Sequence, residues 1–170
     1  MNAAYQQNPN KLQIRSDDLS DPRIAEFLAD HLRDMYATSP PESVHALDLA
    51  GLKKPEISFW TVWDDNELVG CGALKRLDAE HAELKSMRTA LTRRKQGLGK
   101  LILQFILQEA RRRGYRRMSL ETGSMKFFEP ARSLYASYGF KNCEPFADYK
   151  EDPNSVFMTM SLDEEPGSAQ

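Results

Sequence analysis

The chain has little of what marks several large classes of protein. It contains only two cysteines, Cys71 and Cys143, which are too few for a disulfide framework and too far apart in sequence to suggest a zinc site. No apolar run approaches the roughly 18 residues that a membrane-spanning helix needs, and the polar residues 1–10 lack the apolar stretch of a signal peptide. We therefore expect a soluble, cytoplasmic protein without a bound metal.

The chain also lacks a large excess of charge of either sign. It has 23 Lys and Arg residues against 25 Asp and Glu residues, which gives a formal net charge of −2. Such a balance does not favour binding to nucleic acid or to an anionic membrane. A basic run from Arg111 to Arg117 stands out, but cations stabilise the end of a helix. We therefore interpret this run as a solvated helix end rather than as a nucleic-acid site.

What the chain does have is the composition of one globular domain. Its 170 residues are 41% apolar and 28% charged, which is enough to bury a core without disulfides or metals. We expect a folded domain over residues 11–162, with disordered tails at residues 1–10 and 163–170.

Periodicity predicts alternating strands and helices. Asp21-Pro22 begins a helix that ends at Ser39-Pro40-Pro41, and the clearest helix begins at Leu98 and stops at Gly114. The turn Asp64-Asp65-Asn66 is typical of a hairpin. Strands are predicted over residues 12–15, 57–63, 68–74, 82–89, 118–121 and 156–162, with a third helix over residues 130–138, while residues 43–52 are ambiguous. The fold class is α/β, and we expect a right-handed crossover around residues 82–121, so that a helix N-terminus lies beside a strand end.

The loop before the second helix is the strongest functional signal. Gly97 and Gly99 remove two Cβ atoms where the backbone would have to approach a ligand, and the N–H groups that open a helix are unpaired. Residues 96–100 can therefore hold a pyrophosphate at the positive end of the helix dipole. A tight turn needed only for packing is the alternative. A P-loop is excluded because Arg94 stands where it needs glycine, and a dinucleotide fingerprint is excluded because residue 102 is isoleucine.

Two motifs together resemble a known family. The pattern Arg94-x-x-Gly97-x-Gly99 after a strand, followed by Ala131-x-x-Leu134-Tyr135-x-x-x-Gly139-Phe140, is similar to that of the GNAT acetyltransferases. The resemblance covers roughly residues 57–162. It implies a single domain whose central, mixed but mostly antiparallel sheet is flanked by helices and has splayed strands at an acetyl-CoA site.

The resemblance also implies roles for individual residues. The backbone of residues 87–89 would pair with the pantetheine arm, residues 94–100 would take the pyrophosphate, Tyr135 would lie near the thioester sulfur, and Glu83 would be the general base. The cofactor-binding residues so implied are Met87, Arg88, Thr89, Arg94, Lys95, Gln96, Gly97, Leu98, Gly99 and Lys100. Phe128 departs from the pattern, because many members have asparagine seven residues before the tyrosine.

Chemistry supports these two catalytic candidates. An alkyl amine with a pKa of about 10.4 is mostly protonated at neutral pH, so a base such as Glu83, on a strand edge facing the cleft, would help it attack. A phenol such as Tyr135 can protonate the departing thiolate. The alternatives are that Glu83 pairs with Lys85 or Arg88 at the surface and that Tyr135 only fills the core.

We predict N-acetyl transfer from acetyl-CoA to the amine of a small molecule or peptide by direct attack, with no nucleic acid, membrane or metal involved. A homodimer is left open. The competing hypotheses are an acyl-CoA-binding regulatory module without turnover, and transfer of another acyl group or to a hydroxyl. His31 and His45 are candidates for lining the acceptor cleft, although a structural role is more usual for such residues.

Overall fold

The structure of the protein is a computed structural model, and it describes residues 12–163. The tail predicted at residues 1–10 lies outside this range, as does all but residue 163 of the tail predicted at residues 163–170. The strands are β1 (Leu12–Ser16), β2 (Ile57–Asp64), β3 (Glu67–Arg76), β4 (His81–Thr89), β5 (Arg117–Gly123), β6 (Lys141–Asn142) and β7 (Ser155–Ser161). The helices are α1 (Pro22–Thr38), α2 (Leu49–Leu52), α3 (Leu98–Arg112) and α4 (Glu129–Ser137).

The seven strands form one sheet in the order β1-β2-β3-β4-β5-β7-β6. All neighbouring strands are antiparallel except β4 and β5, which are parallel. The crossover from β4 through α3 to β5 produces this one parallel pair. The predicted mixed, mostly antiparallel sheet is confirmed.

Helices α1 and α2 cover one face of the sheet. Helix α1 begins where Asp21 accepts a hydrogen bond from the backbone N–H of Arg23 and Pro22 occupies the first turn, as the sequence predicts. The buried residues of this layer are Leu19, Ile24, Leu28, Leu52, Phe59, Cys71 and Ala73. Because an N-cap and apolar spacing act locally, the start of α1 is readable from the sequence.

Helix α3 packs on the opposite face, very close to β3. A Cβ atom on Gly70 would lie 2.8 Å from Cδ1 of Ile102, and one on Gly72 would lie 2.7 Å from Cδ1 of Ile106. These two glycines therefore let the helix sit against the strand. The sequence predicts that this helix buries a stripe formed by Leu98, Leu101, Ile102, Phe105, Ile106 and Ala110. Leu103 and Leu107, which lie outside that stripe, are also fully buried.

Candidate active site

The site is built around the point where β4 and β5 part. The two strands pair only from His81 and Arg117 to Glu83 and Ser119, and each continues beyond the last pair. β4 runs on to Thr89 and β5 to Gly123 without further pairing between them. The predicted splayed junction is thus present, and the β5-facing edge of β4 has unpaired backbone groups there that a ligand can use.

A bulge in β4 changes which side chains face which layer. The pairing with β3 shifts between Cys71 and Ala73, and Ser86 adopts a φ of 54°. After this bulge Met87 packs in the core with α3, whereas the Arg88 guanidinium lies 2.8 Å from the Asp34 carboxylate of α1. The side chain of Arg88 is therefore ion-paired with α1, and only the backbone of Arg88 is available to contact a cofactor in the gap.

The loop after β4 is open and ends at an uncapped helix. Lys95 and Gly97 have φ values of 62° and 81°, and α3 starts at Leu98 without a side-chain cap. The first N–H groups of this 15-residue helix thus lack side-chain partners at the positive end of its dipole. Arg94, Lys95 and Lys100 are exposed beside them. This arrangement fits a pyrophosphate, as the glycine pattern predicts.

Arg93 fixes this loop to the β2–β3 hairpin. Its guanidinium lies 2.6 Å from the Asp64 carboxylate and 3.4 Å from that of Glu67, and its Nε donates to the side chain of Gln96 at 3.0 Å. The loop is therefore held in place before any ligand binds, which lowers the entropy cost of binding.

Tyr135 lies in α4, next to the start of α3. A Cβ atom on Gly99 would be 3.4 Å from Cδ2 of the neighbouring Leu134 and 4.0 Å from Oγ1 of Thr89, so the end of β4, the start of α3 and α4 meet here. The ring of Tyr135 is 8% exposed and packs edge-on against Phe140. Burial, with a smaller contribution from Glu121, raises the pKa of its phenol to about 12. The hydroxyl is therefore a proton donor at neutral pH.

Glu83 is not where the sequence predicts it. β4 lies inside the sheet between β3 and β5, so Glu83 is not on a strand edge, and it is only 1% exposed. The Tyr149 hydroxyl donates to its carboxylate at 2.6 Å and the Lys85 ammonium donates at 3.2 Å. The pairing with Lys85 named as the alternative thus exists, but it is buried rather than at the surface.

A second carboxylate, Glu121, lies beyond the last β4–β5 pair. It is two residues past Ser119 on β5, and it shares the strand face of Ser119 because side chains alternate. Burial raises its pKa to about 7, opposed by the positive charge of Lys85 and assisted by the negative charges of Glu83 and Asp152. The sequence did not single out Glu121 as a site residue, although it is the one acid of β5 and lies beside the predicted junction.

Two loops meet on the face of Glu83 and Lys85. Ser43, after α1, donates to the Asp152 carboxylate at 2.5 Å, and the rings of His45 and Tyr149 meet edge to face with centroids 5.0 Å apart. Burial, followed by the charge of Lys85, lowers the pKa of His45. His45 thus lies beside the polar cluster, whereas His31 is buried in α1 with its pKa lowered to about 4 by burial and by Arg88.

Phe128 covers the end of β5. A Cβ atom on Gly123 would lie 2.1 Å from its ring, so Gly123 is required for this contact, and Arg94 lies over the neighbouring Phe127 ring at 5.6 Å. Aromatic side chains therefore occupy the segment where many members have the asparagine.

Residues 12–163 contain no cluster of three or more potential metal ligands. Within the same range, no helix is both long and apolar enough to cross a membrane. Arginines at the end of α3 and after it have protein partners, for example Arg112 with Glu109 and Arg116 with Asp163.

Comparison with known proteins identifies the family. A family model described as Acetyltransferase (GNAT) family matches residues 24–140. The chain belongs to the GNAT acetyltransferase family. The GNAT pattern read from the two motifs is confirmed, and the protein is an acetyl-CoA-dependent acyltransferase.

The similar proteins cover nearly the whole chain. YsnE of Bacillus subtilis, called an uncharacterized N-acetyltransferase, is 56% identical over 89% of this chain and all of YsnE. YedL of Escherichia coli, similarly named, is 48% identical over 88% of this chain and 94% of YedL. The IAA acetyltransferase of Azospirillum brasilense is 37% identical over 91% of this chain and 99% of its own.

Solved structures agree on the GNAT fold. A Klebsiella pneumoniae protein described as a putative acyl-CoA N-acyltransferase superposes with a TM-score of 0.71 at 27% identity, covering 89% of this chain and 97% of its own. A GNAT acetyltransferase from Elizabethkingia anophelis with acetyl-CoA bound superposes with a TM-score of 0.62 at 21% identity, covering 91% of this chain and 99% of its own.

Proposed function

We propose that this GNAT protein is an N-acetyltransferase that moves acetyl from acetyl-CoA to an amine of a small molecule or peptide by direct attack. The observation that carries the proposal is the meeting of three features at one gap: the uncapped start of α3, the diverging strands β4 and β5, and the pair Glu121 and Tyr135.

The chain has groups suited to each part of the co-substrate. The helix N-terminus and the exposed cations Arg94, Lys95 and Lys100 suit the pyrophosphate, and the unpaired backbone of residues 87–89 suits the pantetheine arm. Acetyl-CoA supplies the activated acetyl group. The remaining steps require a base for the amine, a donor for the carbonyl oxygen and a proton for sulfur.

Glu121 and Tyr135 supply the two proton transfers. As the amine nitrogen bonds to the carbonyl carbon, Glu121 takes the amine proton, directly or through a water molecule. A backbone N–H near Thr89 stabilises the negative oxygen. The carbon–sulfur bond then breaks, and Tyr135 gives its proton to the sulfur, leaving an amide and free coenzyme A.

We assign the base to Glu121 rather than to Glu83 for two reasons. The pKa of Glu121 is about 7, which matches a base that works near neutral pH, whereas the carboxylate of Glu83 already accepts hydrogen bonds from Tyr149 and Lys85. Neither cysteine lies in the motif, so the mechanism has no covalent enzyme intermediate.

The proposal is tested by measuring the release of coenzyme A from acetyl-CoA in the presence of the purified protein and an acceptor. The acceptor panel contains free amino acids, polyamines, aminoglycosides, peptides, IAA and hydroxyl analogues of the amines that react. Amine-dependent release with a mass gain of one acetyl group on the acceptor supports it. Acetyl-CoA binding without release would support a regulatory module, and acetylation of the hydroxyl analogues at least as fast as of the amines would overturn N-acetyl specificity.

A further inference from the structure

Lys85 is a buried cation that the proposed chemistry does not use. Its side chain is only 8% exposed, and its ammonium contacts three oxygen atoms. It donates to the Glu83 carboxylate at 3.2 Å, to the Tyr149 hydroxyl at 2.8 Å and to the backbone carbonyl of His45 at 3.5 Å. An ammonium has three N–H donors, so its hydrogen-bonding capacity is fully used.

The three partners of Lys85 belong to three distant parts of the chain. Glu83 marks the last pair before β4 and β5 part, His45 lies in the connection of residues 39–48 after α1, and Tyr149 lies in the loop of residues 143–154 before β7. We call these two segments the acceptor-side loops. Ser43 and Asp152 link the two loops to each other, whereas Lys85 links both of them to the sheet.

Burying this cation carries a cost that apolar packing would avoid. An ion pair removed from water loses solvation, and hydrophobic side chains of similar volume often give equal or better stability. What a hydrophobic residue does not provide is directional bonds to three segments at once. The contacts of Lys85 are therefore suited to fixing geometry, and the geometry they fix lies on the face of the gap that carries Glu121.

We propose that Lys85 is a positioning residue for the acceptor: by binding Glu83, Tyr149 and the His45 carbonyl, it holds the acceptor-side loops against the opening between β4 and β5. The proposal rests on the proposed function for the identity of the acceptor, but the fixing of the loops does not depend on it. Acetyl-CoA binding on the α3 side should not require Lys85.

Hydrogen exchange and kinetics on Lys85→Met test this role. Exchange should speed up at residues 39–48 and 143–154 and stay unchanged in α3. With an amine that the wild type acetylates, the acceptor KM should rise by roughly tenfold or more, whereas the Kd for acetyl-CoA should change by less than about threefold. Lys85→Arg, which keeps a charged donor, should restore most of the acceptor KM.

The pH profile provides a readout that loose packing alone would not move. Glu121 interacts electrostatically with Lys85 and Glu83 of β4, with Tyr149 and Asp152 of the loop before β7, and with Tyr135 of α4. Removing the positive charge of Lys85 should move the acidic limb of kcat/KM to higher pH. Tyr149→Phe keeps every charge, so it should loosen the 143–154 loop and leave this limb in place.

Two further variants complete the test, one as a control and one for the case in which Lys85→Met does not fold. Lys141→Met removes an exposed cation of β6, outside the acceptor-side loops, and should leave exchange and kinetics unchanged. If Lys85→Met does not fold, the double variant Glu83→Gln with Lys85→Met leaves no unpaired buried charge and should show the same local exchange. Unchanged exchange in the acceptor-side loops, or an increase spread over the whole domain, overturns the proposal. If the wild type acetylates no amine, the proposed function fails while the exchange result still decides the role of Lys85.

Discussion

Glu121 and Tyr135 interact electrostatically and have very different proton affinities. The negative charge of Glu121 contributes to raising the pKa of Tyr135 to about 12, while Glu121 itself has a pKa of about 7. Near neutral pH the Glu121 carboxylate can accept a proton while the Tyr135 phenol remains protonated. Groups whose pKa values are pushed apart in this way are typical of acid and base pairs.

Replacing Glu121 by glutamine should remove the base and spare the fold. Because the base must be deprotonated, wild-type kcat/KM should rise with pH through about 7, and this limb should disappear in Glu121→Gln, with turnover lower by roughly 10²-fold near pH 7. Rates measured from pH 5.5 to 9 on Glu121→Gln and Glu83→Gln check the assignment. If Glu83→Gln loses the limb and Glu121→Gln keeps it, the base is Glu83.

Tyr135→Phe isolates the hydroxyl from the ring. The contact with Phe140 and the burial of the ring are retained, so stability should change little. The proton for the departing sulfur is lost, so turnover should fall by roughly 10²-fold while the acetyl-CoA Kd moves by less than about threefold. Titration calorimetry and steady-state rates on one preparation measure both quantities. Normal turnover would mean that Tyr135 only packs the core and that another donor protonates the sulfur.

Among the elements, the turn into α3 depends on two glycines for different reasons. Gly97 has a φ of 81° with nothing within 4 Å of an added Cβ, so glycine is needed there because of the backbone conformation. A Cβ on Gly99 would have room, with 3.4 Å to Leu134 and 4.0 Å to Thr89, so we predict that glycine is needed there only for the approach of a ligand. Stability and binding can therefore be separated at this loop.

Alanine at position 97 should lower the stability of the fold, whereas alanine at position 99 should weaken acetyl-CoA binding. Gly97→Ala should cost about 1–2 kcal/mol, which corresponds to a fall in Tm of several degrees, because a non-glycine residue in the left-handed region is strained. Gly99→Ala should leave Tm nearly unchanged but reduce the stabilisation by acetyl-CoA, with Kd higher by roughly tenfold. Thermal unfolding with and without acetyl-CoA measures both. A full ligand shift in Gly99→Ala would contradict the pyrophosphate assignment.

How well each element can be predicted from sequence depends on how local its determinants are. The α1 cap, the β2–β3 turn and the apolar stripe of α3 are set within a few residues of sequence, and all three were predicted, except that the predicted stripe left out Leu103 and Leu107. β6 has two residues and α2 has four, too few to produce a periodic pattern. The contacts of Glu83 with Tyr149 span 66 residues, and no local pattern indicates them. For the same reason the sequence named Glu83 and its possible partner Lys85 but not Tyr149.

For the whole molecule, the open gap between β4 and β5 separates two functions. The cofactor loop and α4 lie with α3 on one face, and the Lys85 cluster and the acceptor-side loops lie on the other. Direct attack requires the amine and the thioester to meet from different directions, and a gap inside a sheet permits this. The proposed activity thus follows from an interruption in the pairing of the sheet rather than from a surface pocket.

The pH dependence of stability should contain two opposing contributions, from His31 and Glu121. Burial lowers the pKa of His31 from 6.5 to about 4, so the unfolded chain binds its proton first and stability is lost as the pH falls from 6.5 towards 4. The pKa of Glu121 is raised from 4.5 to about 7, so the folded state binds its proton first and stability is gained as the pH falls from 7 towards 4.5. Between pH 6.5 and 4.5 the two effects oppose each other.

Single variants should separate these effects. Relative to wild type, His31→Gln should lose less stability on acidification, by up to an amount on the order of 3 kcal/mol, because a neutral amide replaces the buried imidazole. Glu121→Gln should lose more, since the compensating proton uptake is gone. Urea unfolding from pH 7.5 to 4.5 measures the two differences, and other groups cancel because all three proteins share them. Curves parallel to the wild type would show that neither group changes its pKa on folding.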